Sequence, residues 1–93
     1  MSEVRKLVDR LLSSRVKAKL LLLFNKNRGL IDTRDGIAHR IKLRGDVIEL
    51  DLRDLSDIGL LDTEKFGNYE FFFLNHAKAR EIQELTAKYI REL

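Results

Sequence analysis

The sequence predicts a mainly α chain with one small β-hairpin, an α+β architecture, on three observations. Within Asp46–Leu61, read D-V-I-E-L-D-L-R-D-L-S-D-I-G-L-L, the residues Ile48, Leu52, Leu55 and Ile58 recur every three or four positions and make one apolar helical stripe. Gly59 follows directly, where a residue able to turn left-handed ends a helix. Two strand-like runs, Leu60–Lys65 and the aromatic-rich Tyr69–Leu74, flank Phe66-Gly67-Asn68, the composition of a hairpin tip. The 93 residues hold no Pro and no Gly/Ser-rich linker, so 1–93 reads as one small domain.

Each element has its own signal. Val4, Leu7, Val8, Leu11 and Leu12 give a short amphipathic helix over about 2–12. Ser13 or Ser14 caps a second helix, 14–27, with Val16, Leu20, Leu23 and Phe24 among its apolar positions. Asn27-Arg28-Gly29 ends it, and Leu30-Ile31 is an apolar pair suited to a short bridge strand. Asp32 or Thr33 caps a third helix that turns Ile37, Ala38 and Ile41 inward. Lys42–Gly45 forms the turn before a helix expected at 47–58, where Asp46 and Glu49 match a capping box with Asp in the usual Ser/Thr place. The last helix, 76–93, sets Ile82, Leu85, Tyr89 and Leu93 on one side at nearly coiled-coil spacing. The expected layout is an N-terminal helix (1–13), a core (14–75) and a C-terminal helix (76–93).

Composition narrows the function classes. With 44% apolar and 35% charged residues the chain can build a core and is not a disordered composition. A monomer of this size buries only roughly three-fifths of its unfolded surface, so oligomerisation would add stability. No Cys is present, which removes disulfides and thiolate metal sites. His39 and His76 are the only histidines and fall in different elements, so neither a metal set nor a cofactor is expected. Phosphate-loop, dinucleotide and nucleophile–base patterns are absent, which argues against an enzyme. The start M-S-E-V-R-K lacks an apolar signal core, and the longest apolar run, Leu20–Phe24, is too short to span a bilayer. A cytoplasmic setting without membrane association is the expectation.

Charge is distributed unevenly. Residues 1–45 carry twelve Lys/Arg against four Asp/Glu, whereas residues 46–93 carry six against eleven. A basic half suits nucleic acid or an acidic protein, although a solvated surface explains such a bias equally well.

The residues from 14 to 75 resemble a known family. Ile37-Ala38-His39-Arg40-Ile41-Lys42-Leu43, followed by Ile48, Leu52, Leu55 and Gly59-Leu60-Leu61, is similar to the winged helix-turn-helix pattern of ArsR-type and MarR-type regulators. That pattern runs L-A-x-x-L-G-L-S, then V-x-x-x-L-x-x-L-x-x-x-G-L-V. Gly67-Asn68-Tyr69-Glu70-Phe71-Phe72-Phe73-Leu74-Asn75 resembles the ArsR-type wing ending G-x-x-x-Y-Y-R-L-N. The resemblance implies a DNA-binding transcriptional regulator whose 47–58 helix enters the major groove while the 60–74 hairpin acts as a wing.

Family base-contacting positions fall on Asp46, Val47, Glu49, Leu50 and Asp51, where the family usually has hydrogen-bond donors. Acids there repel phosphate, and Asp54 and Asp57 add to them. The cap and helix dipole account for Asp46 and Glu49, while Asp51 and Asp54 lack an explanation from sequence. Val47 and Leu50 suit a thymine methyl, a protein contact, or plain exposure. Thr33, Arg34, Arg44, Lys65 and Asn68 are the expected phosphate contacts, with Arg40 and Lys42 nearby, and Arg53 is the expected base reader. Lys42 stands where the family often has Gly, which leaves the angle between the paired helices open.

Resemblance to dimeric regulators implies a homodimer through Val4, Leu7, Leu11, Ile82, Leu85, Tyr89 and Leu93, presenting two docking helices to a palindromic site on double-stranded DNA. Tyr69, Phe71 and Phe73 form an aromatic row that the terminal helices cover either within one chain or between two. The alternative is a winged-helix protein–protein interaction module that uses the acidic 46–57 face and Leu50, with no specific DNA binding.

Overall fold

A computed structural model describes residues 2–92. In chain order it contains α1 (Ser2–Leu11), α2 (Arg15–Lys26), β1 (Ile31–Thr33), α3 (Arg34–Arg40), α4 (Gly45–Ile58), β2 (Leu61–Phe66), β3 (Tyr69–Leu74) and α5 (His76–Arg91). The fold class is the expected one: mostly helical, with a small antiparallel sheet.

Local chemistry sets three of the helix ends. Ser14 caps α2, its hydroxyl accepting from the Lys17 amide at 2.9 Å. Thr33 caps α3 through the Gly36 amide at 3.2 Å. Gly59 closes α4 at φ 92°: its amide bonds to the Ser56 carbonyl and the Leu60 amide to the Leu55 carbonyl, each at 3.0 Å. That pair of bonds is a Schellman ending, which satisfies carbonyls the helix would leave open.

The expected capping box does not form. α4 starts at Gly45, two residues before the predicted 47, and its N-cap is Arg44, which makes no side-chain capping bond. The Asp46 carboxylate is taken by the Arg44 guanidinium, with Nε–Oδ1 3.1 Å and Nη2–Oδ2 2.9 Å. Asp46 therefore acts only as a first-turn anion beside the helix dipole.

The sheet runs β1-β3-β2, all antiparallel, with Ile31 opposite Phe73 and Leu61 opposite Leu74. The bridge strand expected at Leu30-Ile31 thus lies one residue later, and Leu60 belongs to the helix ending rather than to β2. The hairpin tip is the pair Gly67-Asn68, since Phe66 pairs with Tyr69.

Ile48, Leu52 and Leu55 of α4 have no accessible surface and meet Leu20 and Phe24 of α2, Ile37 and Ala38 of α3, and Phe72 and Leu74 of β3 in one core. Each such side chain contributes about 1.5–3 kcal/mol relative to exposure. Leu11 and Ile82 join this same core. Both are residues of the expected dimer interface, and within one chain they are already largely covered. Val4, Leu7 and Leu85 are half-buried. The Tyr89 side chain and Leu93 lie outside the described residues. Strand alternation turns Phe72 and Leu74 into the core and leaves Tyr69 exposed and Phe71 and Phe73 half-buried on the outer face. Phe66 meets Phe71 edge-on with ring centroids 5.8 Å apart.

Candidate nucleic-acid interface

Lys42 and Gly45 mark the junction between α3 and α4. Lys42 adopts the left-handed conformation at φ 59°, the geometry for which a Gly is usual. At Gly45 a Cβ would lie 1.9 Å from Asp35 Oδ1 and 2.8 Å from Arg34 Nε, both ends of exposed side chains that a larger residue would have to displace. The stripe of α4 is buried, and the opposite face stands outward with Leu50 83% exposed and Val47 45% exposed.

The acids of that helix are not a bare negative surface. Asp54 accepts from the Lys17 ammonium at 2.5 Å and from Arg10 of α1, whose Nε lies 2.9 Å away. The Arg10 hydrogen bond, then Lys17, holds the Asp54 carboxyl below its ordinary value against the opposing effect of burial. Lys17 itself is 4% exposed, and its ammonium also donates to the Arg10 carbonyl at 2.9 Å and the Ser13 hydroxyl at 3.0 Å. Asp51 accepts from the Ser14 hydroxyl at 3.0 Å. The two acids without an explanation from sequence thus dock α4 onto α1 and α2.

On the outward side Glu49 bridges two arginines, accepting from Arg34 Nη1 at 3.0 Å and Arg53 Nε at 3.0 Å. Arg53 continues to Glu70 on β3, with Nη1–Oε2 2.9 Å, and its guanidinium carbon sits 5.2 Å from the centre of the Phe72 ring. The Glu70 hydrogen bond drives the Arg53 pKa further up, and the same bond holds Glu70 below the usual carboxylate range. Among the described residues only Asp57 of the α4 acids has no hydrogen-bonding partner.

The expected phosphate contacts come together only in part. Arg34, raised in pKa by Glu49, also reaches Asp35 at 3.3 Å. Arg44 clasps Asp46 with both side chains well exposed. The Thr33 hydroxyl is engaged as a cap acceptor. Lys65 and Asn68 are exposed on the hairpin, Lys65 standing opposite Glu70. Arg40 pairs with Asp32 at 3.2 Å. Arg53, the expected base reader, has its guanidinium tied between α4 and β3 by two carboxylates. Thr33, Arg34, Glu49, Arg53, Asn68 and Glu70 line one shallow cleft between α3, α4 and the hairpin.

Sequence reasoning missed the Arg10–Lys17–Asp54 cluster. Its one signal was Lys17 itself, three residues before Leu20 on the buried side of α2. No group of His, Asp and Glu that could hold a metal ion occurs among the described residues. None of the described helices is long and apolar enough to cross a membrane.

No protein-family model and no curated protein matches the chain. Solved structures do. A possible transcriptional regulator for arsenical resistance aligns with a TM-score of 0.69 at 19% identity, over 87% of this chain and 83% of that one. The antimony-specific transcriptional repressor AntR aligns at 0.68 and 22% identity, over 98% of this chain and 79% of that one. The fold is a winged helix. In that frame α3 and α4 are the paired helices, β2–β3 is the wing, and α1 and α5 lie outside the paired-helix core.

Proposed function

We propose that this winged helix is a DNA-binding transcriptional regulator that docks duplex DNA through the outward face of α4 and the wing. The observation that carries the reading is the disposal of the α4 acids. Asp51 and Asp54 are drawn away into bonds with α1 and α2, and Asp46 and Glu49 are matched by Arg44, Arg34 and Arg53. The face that would meet the groove is therefore close to charge-balanced, with Lys65 and Asn68 exposed on the wing. The likeness to two transcriptional regulators supports the same reading. Thr33, Arg34, Arg44, Lys65 and Asn68 are its phosphate contacts, while Arg53 holds the wing in place.

A balanced face binds weakly. Each phosphate neutralised contributes about −0.9 to the slope of log affinity against log salt, and several arginines must leave carboxylates to reach phosphate. The reading includes a cytoplasmic homodimer on a palindromic site, assembled through Val4, Leu7 and Leu85 with the exposed Ile90, because those apolar groups on the terminal helices are incompletely covered.

Fluorescence anisotropy against mixed genomic duplexes at two ionic strengths tests the assignment. Binding at low salt that weakens steeply with added salt, and that Arg34→Glu with Lys65→Glu abolishes, is the expected result. One observation favours a protein-docking module instead: Leu50, Val47, Phe66 and Tyr69 leave large apolar groups exposed on α4 and the wing. Such a module would show no duplex binding at low salt, and its partner binding would respond to Leu50→Asp alone.

A further inference from the structure

Between α2 and α5 lies a trough of about 380 Å³ walled by Leu21, Leu22, Ala79 and Ile82, with Leu20, Phe24, Leu55, Leu61 and Leu74 buried beneath it. That volume lies within the range of small-molecule sites, and the lining is almost wholly apolar, as such sites require. Leu12 and Leu22 stand on its rim 68% and 53% exposed, an unfavourable display for leucines in water. Arg28 is the one charged residue in the lining, it forms no ion pair among the described residues, and the amides of Asn25 and Gln83 are the remaining polar side chains. From Ala18 to Asn25 the α2 wall runs for about 10 Å at 1.5 Å per residue, so the trough is long enough for an extended chain.

We infer that this trough binds a medium-chain alkyl monocarboxylate, with the carboxylate on Arg28 and the chain along the leucines. The charge pattern selects the occupant. One cation with two neutral amides beside it matches a single carboxylate, whereas a phosphate would call for several donors with charge behind them. An ammonium headgroup would be repelled, and a neutral alcohol would leave Arg28 without its counter-ion. Because Leu55 lies in the last turn of α4 and Leu61 and Leu74 root the wing strands, the occupant would sit directly over both elements assigned to DNA.

Calorimetric titration of the full chain with hexanoate, octanoate and decanoate tests the inference without DNA, so loss of the DNA assignment leaves the test intact. The expected result is one site per chain, with affinity rising about fourfold for each added methylene. Octanol should bind more weakly than octanoate, and octylammonium should not bind. Arg28→Gln, a change at an exposed position outside any helix, should weaken decanoate about tenfold and leave octanol unaffected. The inference is overturned by absence of saturable decanoate binding below its micelle threshold, or by equal decanoate affinity in Arg28→Gln. It is equally overturned if sedimentation shows a dimer that Leu22→Asp dissociates and that excludes decanoate, because a second copy then fills the trough.

Discussion

Arg53 on α4 and Glu70 on β3 face one another fork to fork, and this pair fixes the wing against the helix it flanks. Nη1 and Nη2 address the two carboxylate oxygens separately, the Phe72 ring lies beneath the guanidinium, and Glu49 holds Nε. Planar, two-point pairing of this kind constrains direction as well as distance. The same pair places a carboxylate on the proposed docking face and withholds a cation from it.

Glu70→Gln should therefore raise duplex affinity at low salt by several-fold. The change removes one negative charge from the face and leaves Arg53 held by Glu49 alone, so that its guanidinium can turn outward more readily. Steeper salt dependence by about one phosphate contact should accompany the gain, because a released guanidinium displaces a further counterion. Anisotropy titrations of the two proteins at matched ionic strengths check this. Unchanged affinity would mean that the wing does not approach DNA.

The Asp54–Lys17 pair should be energetically lopsided. Lys17 is almost fully buried and depends on Asp54 for its counter-charge, whereas Asp54 keeps Arg10 if Lys17 is lost. Asp54→Asn leaves an inadequately paired ammonium in the core and should cost about 2 kcal/mol, below the range for a fully buried pair because the carboxylate is partly exposed. Lys17→Met fills the same volume without charge and should change stability by under about 1 kcal/mol. Urea unfolding of both variants decides between this asymmetry and a symmetric pair.

How far the sequence reveals these features depends on the span of each interaction. The caps at Ser14 and Thr33 and the stop at Gly59 are written within four or five residues, and each forms where its local chemistry places it. The start of α4 is displaced because Asp46 had two options within that same span, a helix amide or the Arg44 guanidinium, and the cation prevailed. Asp51 and Asp54 read as unexplained acids because Ser14 and Lys17 lie 37 residues upstream, and Arg10 lies 44 residues from Asp54. Arg53 read as a free donor because Glu70 is 17 residues away, on an element whose register the sequence did not specify. Leu11 and Ile82 lie on stripes that periodicity locates correctly, but periodicity does not say whether a stripe meets its own chain or a second one.

Acid should weaken the fold through two of these contacts. Asp54 and Glu70 both have folded-state pKa values below their ordinary ones, chiefly through hydrogen bonds from Arg10 and Arg53 respectively. A depressed carboxylate contributes stability that is complete above its unfolded pKa of about 4 and is lost as pH falls through the lower folded value. The urea midpoint should therefore hold steady from about pH 7 to 5 and decline below about pH 4. Asp54→Asn combined with Glu70→Gln should flatten that decline. An equally steep decline in the double variant would assign the acid sensitivity to other carboxylates.

Two of the three left-handed residues, Gly59 and Lys42, should respond oppositely to substitution. Gly59 at φ 92° closes α4, and an added Cβ would meet nothing nearer than the Lys78 side chain at 3.9 Å. Gly59→Ala therefore tests backbone strain with little steric confusion, and it should destabilise the protein by about 1 kcal/mol. Lys42 at φ 59° already bears that strain in the turn between α3 and α4. Lys42→Gly relieves it while giving the unfolded chain more freedom, so the net change should be a stabilisation of at most about 1 kcal/mol. Lys42→Val should be destabilising, since a β-branched side chain tolerates positive φ poorly. Thermal and urea unfolding of the three variants gives the signs directly, and a destabilised Lys42→Gly would show that the lysine side chain holds the turn by contacts that outweigh its backbone strain.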